Sequence, residues 1–330
     1  METIIYTSCI GAFAFDQNFN LVDKLEFEDI KNIDFSEWLN EEKNLIKKYS
    51  KNKVFFLGLK KEKMPNVILT QDIRKLEAVS EFLMKNNYSG RIREICINRT
   101  KEKVKDSVTS DLLIIQAVSS ISEIEKTTST LVKRLREWYE LHNPEFSRSV
   151  EDHQKFIEAI LKKNKKELLG EIKVKITMGA DFEKEDLDAM FNLAKELENI
   201  YALKNKQEEY LEKIMKKAMP NVTEIAGSFI GAQLVGHAGS LQRLAEMPSS
   251  TLQLLGAEKA LFRHLRNKKA LPPKYGVLHE HPLIAKSKRS MHGKIARALA
   301  DKISLAAKLD YFKGEFMGDK LRKALEEKFK

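Results

Sequence analysis

The stretch "AVSSISEIEKTTSTLVKRLREWYELH", residues 117–142, indicates the fold class of this sequence. Alternating steps of four and three residues from Ala117 reach Ile121, Ile124, Thr128, Leu131, Leu135, Trp138 and His142. Side chains with this spacing lie along one side of an α-helix and form the seam of a coiled coil. The stretch therefore predicts a long helix that packs against a second helix.

A second stripe of apolar residues follows further along the chain. It runs through Leu187, Met190, Ala194, Leu197 and Tyr201, and after a polar interval at 204–209 it resumes at Tyr210, Leu211, Ile214 and Met215. Helices of about 30 residues are roughly 45 Å long, which is more than a compact domain requires. We therefore expect residues 107–220 to form a coiled-coil helical arm.

The seam is consistent with two arrangements of this arm. One is a helical hairpin that packs only on itself, and the other is an arm that joins two copies as a homodimer. Heptad spacing is the same within one chain and between two chains, so both arrangements stay open. The contact residues expected for a homodimer are Ile121, Ile124, Leu131, Leu135, Leu187, Met190, Leu197 and Tyr201.

Residues 1–106 mix short apolar runs with helical patterns, which predicts a small α+β domain. The start "METIIYTSCIGAFAF" is expected to form a buried strand, and the turn-forming residues 16–18 predict a hairpin with "NLVDKLEF". The domain has no glycine-rich phosphate loop and no cluster of His, Cys or carboxylates, so a binding module is favoured over an enzyme. The fold class predicted for the whole chain is mostly α with this small α+β domain at its N-terminus.

Composition limits the class of protein. A length of 330 residues predicts two or three domains, and 42% apolar with 32% charged residues suits a soluble, helix-rich protein. The start lacks the basic residues of a signal peptide, and no apolar run reaches about 18 residues. We therefore expect a cytoplasmic protein without a membrane span. Cys9 and Cys96 lie in apolar stretches, which favours buried free thiols over a disulfide or metal site.

Residues 221–330 are expected to form a third, helix-rich domain in which glycines recur at close intervals. These glycines are Gly227, Gly231, Gly236, Gly239 and Gly256. Their order fits neither a dinucleotide-binding motif nor a P-loop, which argues against nucleotide binding. Gly227 and Gly231 would share one helix face and allow a neighbouring helix to approach closely.

The net charge of +10 is concentrated in the same domain. From Arg263 to Lys302 there are eleven Lys or Arg residues against two acids, Glu280 and Asp301, which is a local net charge of +9. Ordinary solvated helix faces intersperse acids with their lysines. The concentration therefore favours a surface that binds a polyanion.

Four of the seven histidines also lie in this segment, at His264, His279, His281 and His292. The "HEH" at 279–281 invites a metal interpretation, but no cluster of cysteines or carboxylates completes a ligand shell, so we expect no metal. The segment "KYGVLHEHP" is expected to be extended, with Tyr275, Val277 and His279 on one side. A histidine ring in basic surroundings can stack on an unpaired RNA base.

Three motifs occur in order in this domain: "HAGSL" (237–241), "GAEKALFR" (256–263) and "YGVLH" (275–279). Together with "LREWYELHNPEF" and "ITMGADFEKEDL" in the arm, they resemble the Nop family over at least residues 107–312. The whole pattern is similar to the archaeal core proteins of box C/D guide ribonucleoproteins.

The resemblance implies a separate task for each part. Residues 1–106 would bind fibrillarin, the S-adenosylmethionine-dependent methyltransferase, and residues 107–220 would pair two copies. Residues 221–330 would bind a kink-turn of the guide RNA together with a small ribosomal-protein-like partner. The chain itself would have no catalytic residue and no cofactor, and S-adenosylmethionine is expected on the fibrillarin partner.

The residues expected to contact RNA lie around "GAEKALFR" and in the basic segment that follows. They are Gln253, Gly256, Ala257, Glu258, Lys259, Arg263, Lys274, His279, Lys286, Lys288, Arg289, Lys294 and Arg297. Lys259 and Arg263 are one helical turn apart and can face phosphate. Glu258 is expected to order these basic side chains or to accept a hydrogen bond from a base, and Phe262 is either buried or in contact with RNA.

Two other functions stay open beside the guide-particle scaffold. A self-sufficient RNA-modifying enzyme is disfavoured because the sequence has no glycine-rich methyl-donor site and no paired acid and base. A Nop-domain protein of another particle, such as a spliceosomal one, is disfavoured by the fibrillarin-domain-like start and the compact length. The favoured function is positioning fibrillarin for 2′-O-methylation of ribosomal and transfer RNA.

Overall fold

The computed structural model describes residues 2–27 and 34–329, and its backbone contacts divide the chain into two compact units, Met1–Val108 and Thr109–Lys330. The predicted fold class, mostly α with a small α+β domain at the N-terminus, is confirmed. The boundary expected near residue 220 lies inside the second unit. The division of residues 107–330 into an arm and a C-terminal domain remains a prediction.

The first unit is a five-stranded sheet with the order β3-β2-β1-β4-β5. Strands β1, β2 and β3 are antiparallel neighbours, whereas β4 is parallel to β1 and to β5. Its elements are β1 (Glu2–Thr7), β2 (Gly11–Phe15), β3 (Leu21–Glu26), α1 (Asn40–Lys48), β4 (Lys53–Leu57), β5 (Val67–Thr70), α2 (Ile73–Lys85) and α3 (Tyr88–Asp106). Alternating residues of β2 pack against α1 on one face and α2 on the other.

The single strand expected over residues 1–15 is wrong. A turn at residues 8–10 separates β1 from β2, and the backbone N–H of Ser8 donates to the carbonyl of Gly11 at 3.0 Å. Gly11 has no room for a side chain, since a Cβ there would lie 2.2 Å from the carbonyl oxygen of Leu25. The predicted hairpin between β2 and β3 is confirmed, because Asp16 Oδ1 accepts from the backbone N–H groups of Asn18 and Asn20.

All regular secondary structure in the described residues 109–329 of the second unit is helical. Its longer helices are α4 (Ser110–Glu140), α6 (His153–Lys162), α8 (Lys184–Ala218), α10 (Ser228–Ala238), α13 (Glu258–Arg266), α15 (His292–Tyr311) and α16 (Gly318–Lys328). The shorter ones are α5 (Pro144–Ser149), α7 (Lys165–Glu171), α9 (Pro220–Ala226), α11 (Leu241–Glu246), α12 (Ser249–Leu252), α14 (Pro282–Ala285) and a 3₁₀ helix at Val277–Glu280. Helices α4 and α8 pack against each other within the chain, which is the helical hairpin, one of the two arrangements that the sequence left open.

The residues predicted to join two copies divide into two groups. Ile121, Leu135, Met190 and Leu197 are all 0% exposed within one chain. These four hold the hairpin together and are therefore not available to a second copy, which corrects their predicted role. Ile124, Leu131, Leu187 and Tyr201 are only half-buried.

The prediction that glycines allow a neighbouring helix to approach closely is confirmed at Gly231 and is wrong at Gly227. A Cβ on Gly231 would lie 2.9 Å from Met215 Cε and 3.1 Å from Val222 Cγ1, so α10 approaches its neighbours closely because this position has no side chain. Gly227 instead separates α9 from α10 with a φ of +79°, a conformation that favours glycine. Helix α15 lies against this core through Ile295, Leu299 and other buried residues.

Candidate nucleic-acid interface

The backbone of residues 274–277 is held against residues 253–255. The N–H of Gly276 donates to the carbonyl of Gln253 at 2.9 Å, and the N–H of Val277 donates to the carbonyl of Leu255 at 2.8 Å. The side-chain amide of Gln253 donates to the carbonyl of Lys274 at 2.6 Å. A Cβ on Gly276 would lie 1.8 Å from the Leu255 carbonyl oxygen, so this contact requires glycine. The contact fixes the start of the 3₁₀ helix that presents His279.

His279 is exposed, and its ring lies parallel to that of Tyr275. The ring centroids are 6.3 Å apart with an interplanar angle of 14°, and His279 Nδ1 donates to the carbonyl of Gly276 at 3.1 Å. The extended conformation expected for this segment is wrong, because residues 277–280 form a 3₁₀ helix. The rings of Tyr275, which precedes this helix, and of His279 within it nevertheless lie side by side.

A second histidine, His292, holds Tyr275 through a hydrogen bond to its hydroxyl. Tyr275 Oη lies 3.2 Å from Nδ1 of His292, and His292 Nε2 lies 3.1 Å from the carbonyl oxygen of Ser287. A carbonyl can only accept, so Nε2 carries the hydrogen and the tyrosine hydroxyl donates to Nδ1. Tyr275 and His292 were not among the predicted site residues. The four-residue spacing between Tyr275 and His279 is the only feature of the sequence that could have predicted the contact between their rings. This spacing brings two side chains together only if the segment is helical, and the segment was expected to be extended.

His281 has a different environment from His279, although only one residue separates them. Its side chain is buried, its Nε2 donates to the carbonyl of Ile225 at 3.0 Å, and its Nδ1 accepts from the N–H of Leu283 at 3.2 Å. Burial lowers the pKa of this imidazole, and the hydrogen bond to Ile225 opposes that effect only in part. His281 therefore has a structural role at the start of α14.

Helix α13 presents the "GAEKALFR" motif with no residue fully buried. Gly256 precedes it with a φ of +84°, and a Cβ there would lie 2.5 Å from Val277 Cγ2, so a side chain would push the two segments apart. Glu258 Oε1 accepts from the N–H of Gly256 at 2.7 Å and lies 3.8 Å from His237 Nδ1. Partial burial raises the pKa of Glu258, but hydrogen bonds from the backbone outweigh it and the net shift is downward. Glu258 thus fixes the start of α13.

Most of the remaining side chains of α13 are exposed, whereas Ala260, Leu261 and His264 are half-buried. Lys259 and Arg263 are both exposed, one helical turn apart as predicted. Phe262 is 58% exposed, which removes the alternative that it is buried in the core. Ala257 is half-buried directly before the helix, at its N-cap position.

Eight exposed basic residues form what we call the basic surface: Lys259, Arg263, Lys274, Lys286, Lys288, Arg289, Lys294 and Arg297. Lys286, Lys288 and Arg289 lie in the segment between α14 and α15, on either side of the Ser287 carbonyl that binds His292. The side chain of Lys274 passes beside the start of α15, since a Cβ on Gly293 would lie 3.9 Å from Lys274 Cδ.

None of these eight side chains forms an ion pair with a carboxylate in residues 2–27 and 34–329. The carboxylates that do pair nearby, Glu224 and Glu326, bind Arg322 of α16. Unpaired cations at the surface can neutralise the phosphates of a nucleic acid, which releases the counterions condensed on that polyanion, without first breaking an ion pair of the protein. The arrangement is suited to binding phosphate groups.

Comparison with known proteins identifies the family. The pattern described as "Nop: snoRNA binding domain, fibrillarin" matches residues 120–330, which is well over half of the chain. The chain belongs to the Nop family. The predicted resemblance is therefore confirmed, and the match includes α13, the 3₁₀ helix and the basic surface.

Several proteins are similar to this Nop-family chain. An uncharacterized NOP5 family protein of Methanocaldococcus jannaschii is 41% identical over 246 residues, which are 69% of this chain and 59% of that protein. Nucleolar protein 58 of Schizosaccharomyces pombe is 36% identical over 61% of this chain and 42% of its own length. Nucleolar protein 56 of the same yeast is 33% identical over 69% of this chain and 51% of its own. The matched regions thus span about half the length of these relatives.

One solved structure aligns with nearly the whole chain. It is a chain of the crystal structure of a fibrillarin/Nop5p complex, with 98% of both chains covered, 20% identity and a TM-score of 0.44. These values are too low to support an argument about shared function.

The names of the yeast relatives correct the expected location. Both are named nucleolar proteins, which contradicts the prediction of a cytoplasmic location that rested on missing export and membrane signals. Within the described part of the chain, no helix combines the length and apolar character needed to cross a membrane.

Proposed function

We propose that this Nop-family protein is the non-catalytic scaffold of a box C/D guide ribonucleoprotein. In this role it binds the kink-turn of the guide RNA together with a ribosomal-protein-like binder, and it positions fibrillarin for 2′-O-methylation of ribosomal and transfer RNA. Its contribution to the reaction is proximity, since holding enzyme and target together can replace a slow bimolecular encounter.

The observation that carries this proposal is the exposed ring of His279, which lies parallel to the half-buried ring of Tyr275 and close in sequence to residues of the basic surface. Lysine and arginine side chains bind the RNA backbone without regard to sequence. Aromatic and histidine rings instead stack on bases that are not paired. A surface with both features is suited to RNA in which a bend exposes bases beside closely spaced phosphates.

Within this proposal, each RNA-facing residue has a role that follows from its position. Lys259, Arg263, Lys274, Lys286 and the basic residues after Ser287 supply positive charge for phosphates. His279 supplies a stacking face, and its Nε2 stays available because Nδ1 is used by Gly276. Gln253, Gly256, Ala257 and Glu258 act by fixing the backbone that carries α13 and the 3₁₀ helix.

The other partners of the scaffold belong to the other parts of the chain. Residues 1–106 are proposed to bind fibrillarin, and S-adenosylmethionine would then be held by fibrillarin, with no cofactor on this chain. A second copy would bind the arm through residues that the hairpin leaves accessible. Leu203 and Tyr210 of α8 are such residues, because they are 45% and 43% exposed.

Sequencing the RNA that copurifies with the native protein tests the proposed particle. The expected result is a set of short RNAs that carry box C and box D elements. The matched control is a variant with Lys259→Glu and Arg263→Glu, which should retain fibrillarin and lose most of the RNA. Recovery of a spliceosomal RNA, or of no discrete RNA class, would contradict the proposal.

A further inference from the structure

The turn between β1 and β2 holds Cys9 in a fixed position. Besides the backbone hydrogen bond from Ser8 to Gly11, the hydroxyl of Ser8 accepts from the N–H of Ile10 at 3.2 Å. Ile10 itself is only 2% exposed, so it anchors the turn in the core. Cys9 is half-buried between these two residues. Its thiol therefore has little freedom to move away from what lies opposite it.

Helix α3 brings a second thiol to this turn. Cys9 Sγ lies 3.8 Å from Cys96 Sγ, and it also lies 3.8 Å from the carbonyl oxygen of Ile92, one helical turn earlier on α3. Both cysteines are free thiols, and Cys96 is exposed. The expectation that both thiols are buried is therefore wrong for Cys96, and Cys9 is only half-buried. The fold has brought together two thiols that are 87 positions apart in the sequence.

We propose that Cys9 and Cys96 are a reversible redox pair that closes to an intramolecular disulfide and fastens α3 to the β1–β2 turn. The two sulfur atoms are already in contact, and bond formation needs an approach of less than 2 Å, to about 2.0 Å. Side-chain rotation of Cys96 on the exposed face of α3 can supply this movement. The inference concerns the first unit alone and is independent of the proposed RNA-binding role.

The oxidant we name is a small-molecule disulfide such as glutathione disulfide. The Cys96 thiolate attacks one sulfur of the oxidant, forms a mixed disulfide and releases one glutathione thiolate. The Cys9 thiol then loses its proton and attacks the Cys96 sulfur, which expels the second glutathione thiolate. Two protein thiols are oxidised, one glutathione disulfide is reduced to two glutathione molecules, and the two protons are taken up by the released thiolates.

The accessibility of the two thiols to a small oxidant and the raised pKa of Cys9 give this order of attack. Cys9 and Cys96 line an open cavity of about 480 Å³ beside the ends of β1 and β4, so a small oxidant can reach them. Burial raises the pKa of Cys9 to about 11, and the contact with Cys96 contributes in the same direction. Cys9 therefore stays protonated at neutral pH and is a poor first nucleophile, whereas the exposed Cys96 can react first.

Closure of the disulfide would change how firmly α3 is attached. No side chain of α3 is fully buried, and the helix is held mainly by partly buried residues such as Tyr88 and Ile92. An added covalent link restricts local opening of an element that has few buried contacts. We therefore expect slower amide exchange in α3 in the oxidised form.

Oxidation of the full-length protein with glutathione disulfide tests the pair. Intact-mass measurement at the end of the reaction should show wild type lighter by two hydrogen atoms, with no glutathione attached, because the adjacent Cys9 resolves the mixed disulfide on Cys96. Peptide mapping should find the Cys9–Cys96 link. The Cys9→Ser variant should instead accumulate glutathione on Cys96, since it has no resolving thiol, and at least about tenfold more of it than wild type.

A control in denaturant distinguishes an effect of the short Cys9–Cys96 distance in the folded chain from the ordinary reactivity of two separate thiols. In concentrated denaturant the two thiols lose their proximity, so wild type should accumulate the mixed disulfide as the variant does. The pair is refuted if native wild type also accumulates glutathione, forms a disulfide between two molecules, or keeps both thiols free while Cys9→Ser reacts. Failure of the variant and wild type alike to react would refute it as well, because an accessible Cys96 is part of the proposal.

Discussion

The imidazole ring of His279 lies parallel to the phenol ring of Tyr275, with centroids 6.3 Å apart. Tyr275 is in turn bound through its hydroxyl to His292 at the start of α15. The exposed ring is thus connected through two others to a helix whose inner face is buried in the core. His279 is presented to solvent in a fixed orientation, which lowers the entropy lost when a base stacks on it.

Replacing His279 tests the stacking role. His279→Ala is expected to weaken binding to a kink-turn complex by roughly ten- to a hundredfold, because base stacking is worth about 1–3 kcal/mol. His279→Phe should recover part of the loss. RNA-shift titrations give the affinities, and calorimetry should show a nearly unchanged melting temperature because the side chain is exposed. If the alanine variant binds as wild type does, His279 is not a stacking residue.

The basic surface predicts a salt dependence of RNA binding. If its eight residues make about five phosphate contacts, log affinity should fall with log salt concentration with a slope of roughly −3.5 to −4.5. Charge reversal at Lys286, Lys288 and Arg289 should flatten this slope. The matched control is charge reversal at Lys195 and Lys206, exposed residues of α8 in the arm, which should leave the slope unchanged. A slope near zero in wild type would show that the basic surface does not bind phosphate.

The two groups of apolar residues in the arm should respond differently to substitution. Leu135→Ala is expected to cost about 2–5 kcal/mol of unfolding free energy, because it leaves a cavity at a position that is 0% exposed. Leu203→Glu on the exposed face should leave the melting temperature unchanged and weaken a homodimer. Sedimentation at micromolar concentration measures the assembly state. A wild-type chain that sediments as a monomer there contradicts pairing through the arm.

The buried His281 predicts a loss of stability at acid pH. Burial lowers its pKa in the folded chain below the ordinary value of about 6.5, so the unfolded chain binds a proton first as the pH falls. Its contribution to stability is therefore complete above pH 6.5 and is lost progressively below it. His281→Gln keeps a side-chain donor for the carbonyl of Ile225 and should reduce this pH dependence. Equal pH profiles for wild type and His281→Gln would contradict the assignment.

The long-period features of this chain could be predicted from sequence, because they repeat over many residues. The two long helices α4 and α8 follow from the heptad spacing and the second apolar stripe, and the basic surface follows from the excess of cations after Arg263. The hairpin between β2 and β3 follows from the turn chemistry of Asp16. Each of these depends on local spacing that tertiary contacts do not override.

The features that could not be predicted depend on contacts between distant segments. The turn at residues 8–10 interrupts an apolar run that has no proline and one glycine. Cys9 in this turn contacts Cys96 of α3, which lies 87 positions away in the sequence. The 3₁₀ helix that presents His279 begins where the N–H of Val277 donates to the carbonyl of Leu255. Whether Leu135 faces a neighbouring helix of its own chain or of a second chain also depends on packing that a heptad does not specify.

Methyl transfer in a reconstituted particle tests the scaffold most directly. Labelled S-adenosylmethionine would be supplied to a target RNA with fibrillarin, the kink-turn binder and guide RNA, with and without this protein. The scaffold account predicts no transfer by this protein alone, little transfer by the other components without it, and guide-directed transfer when all are combined. Transfer by this protein alone, or equal transfer in its absence, would contradict the account.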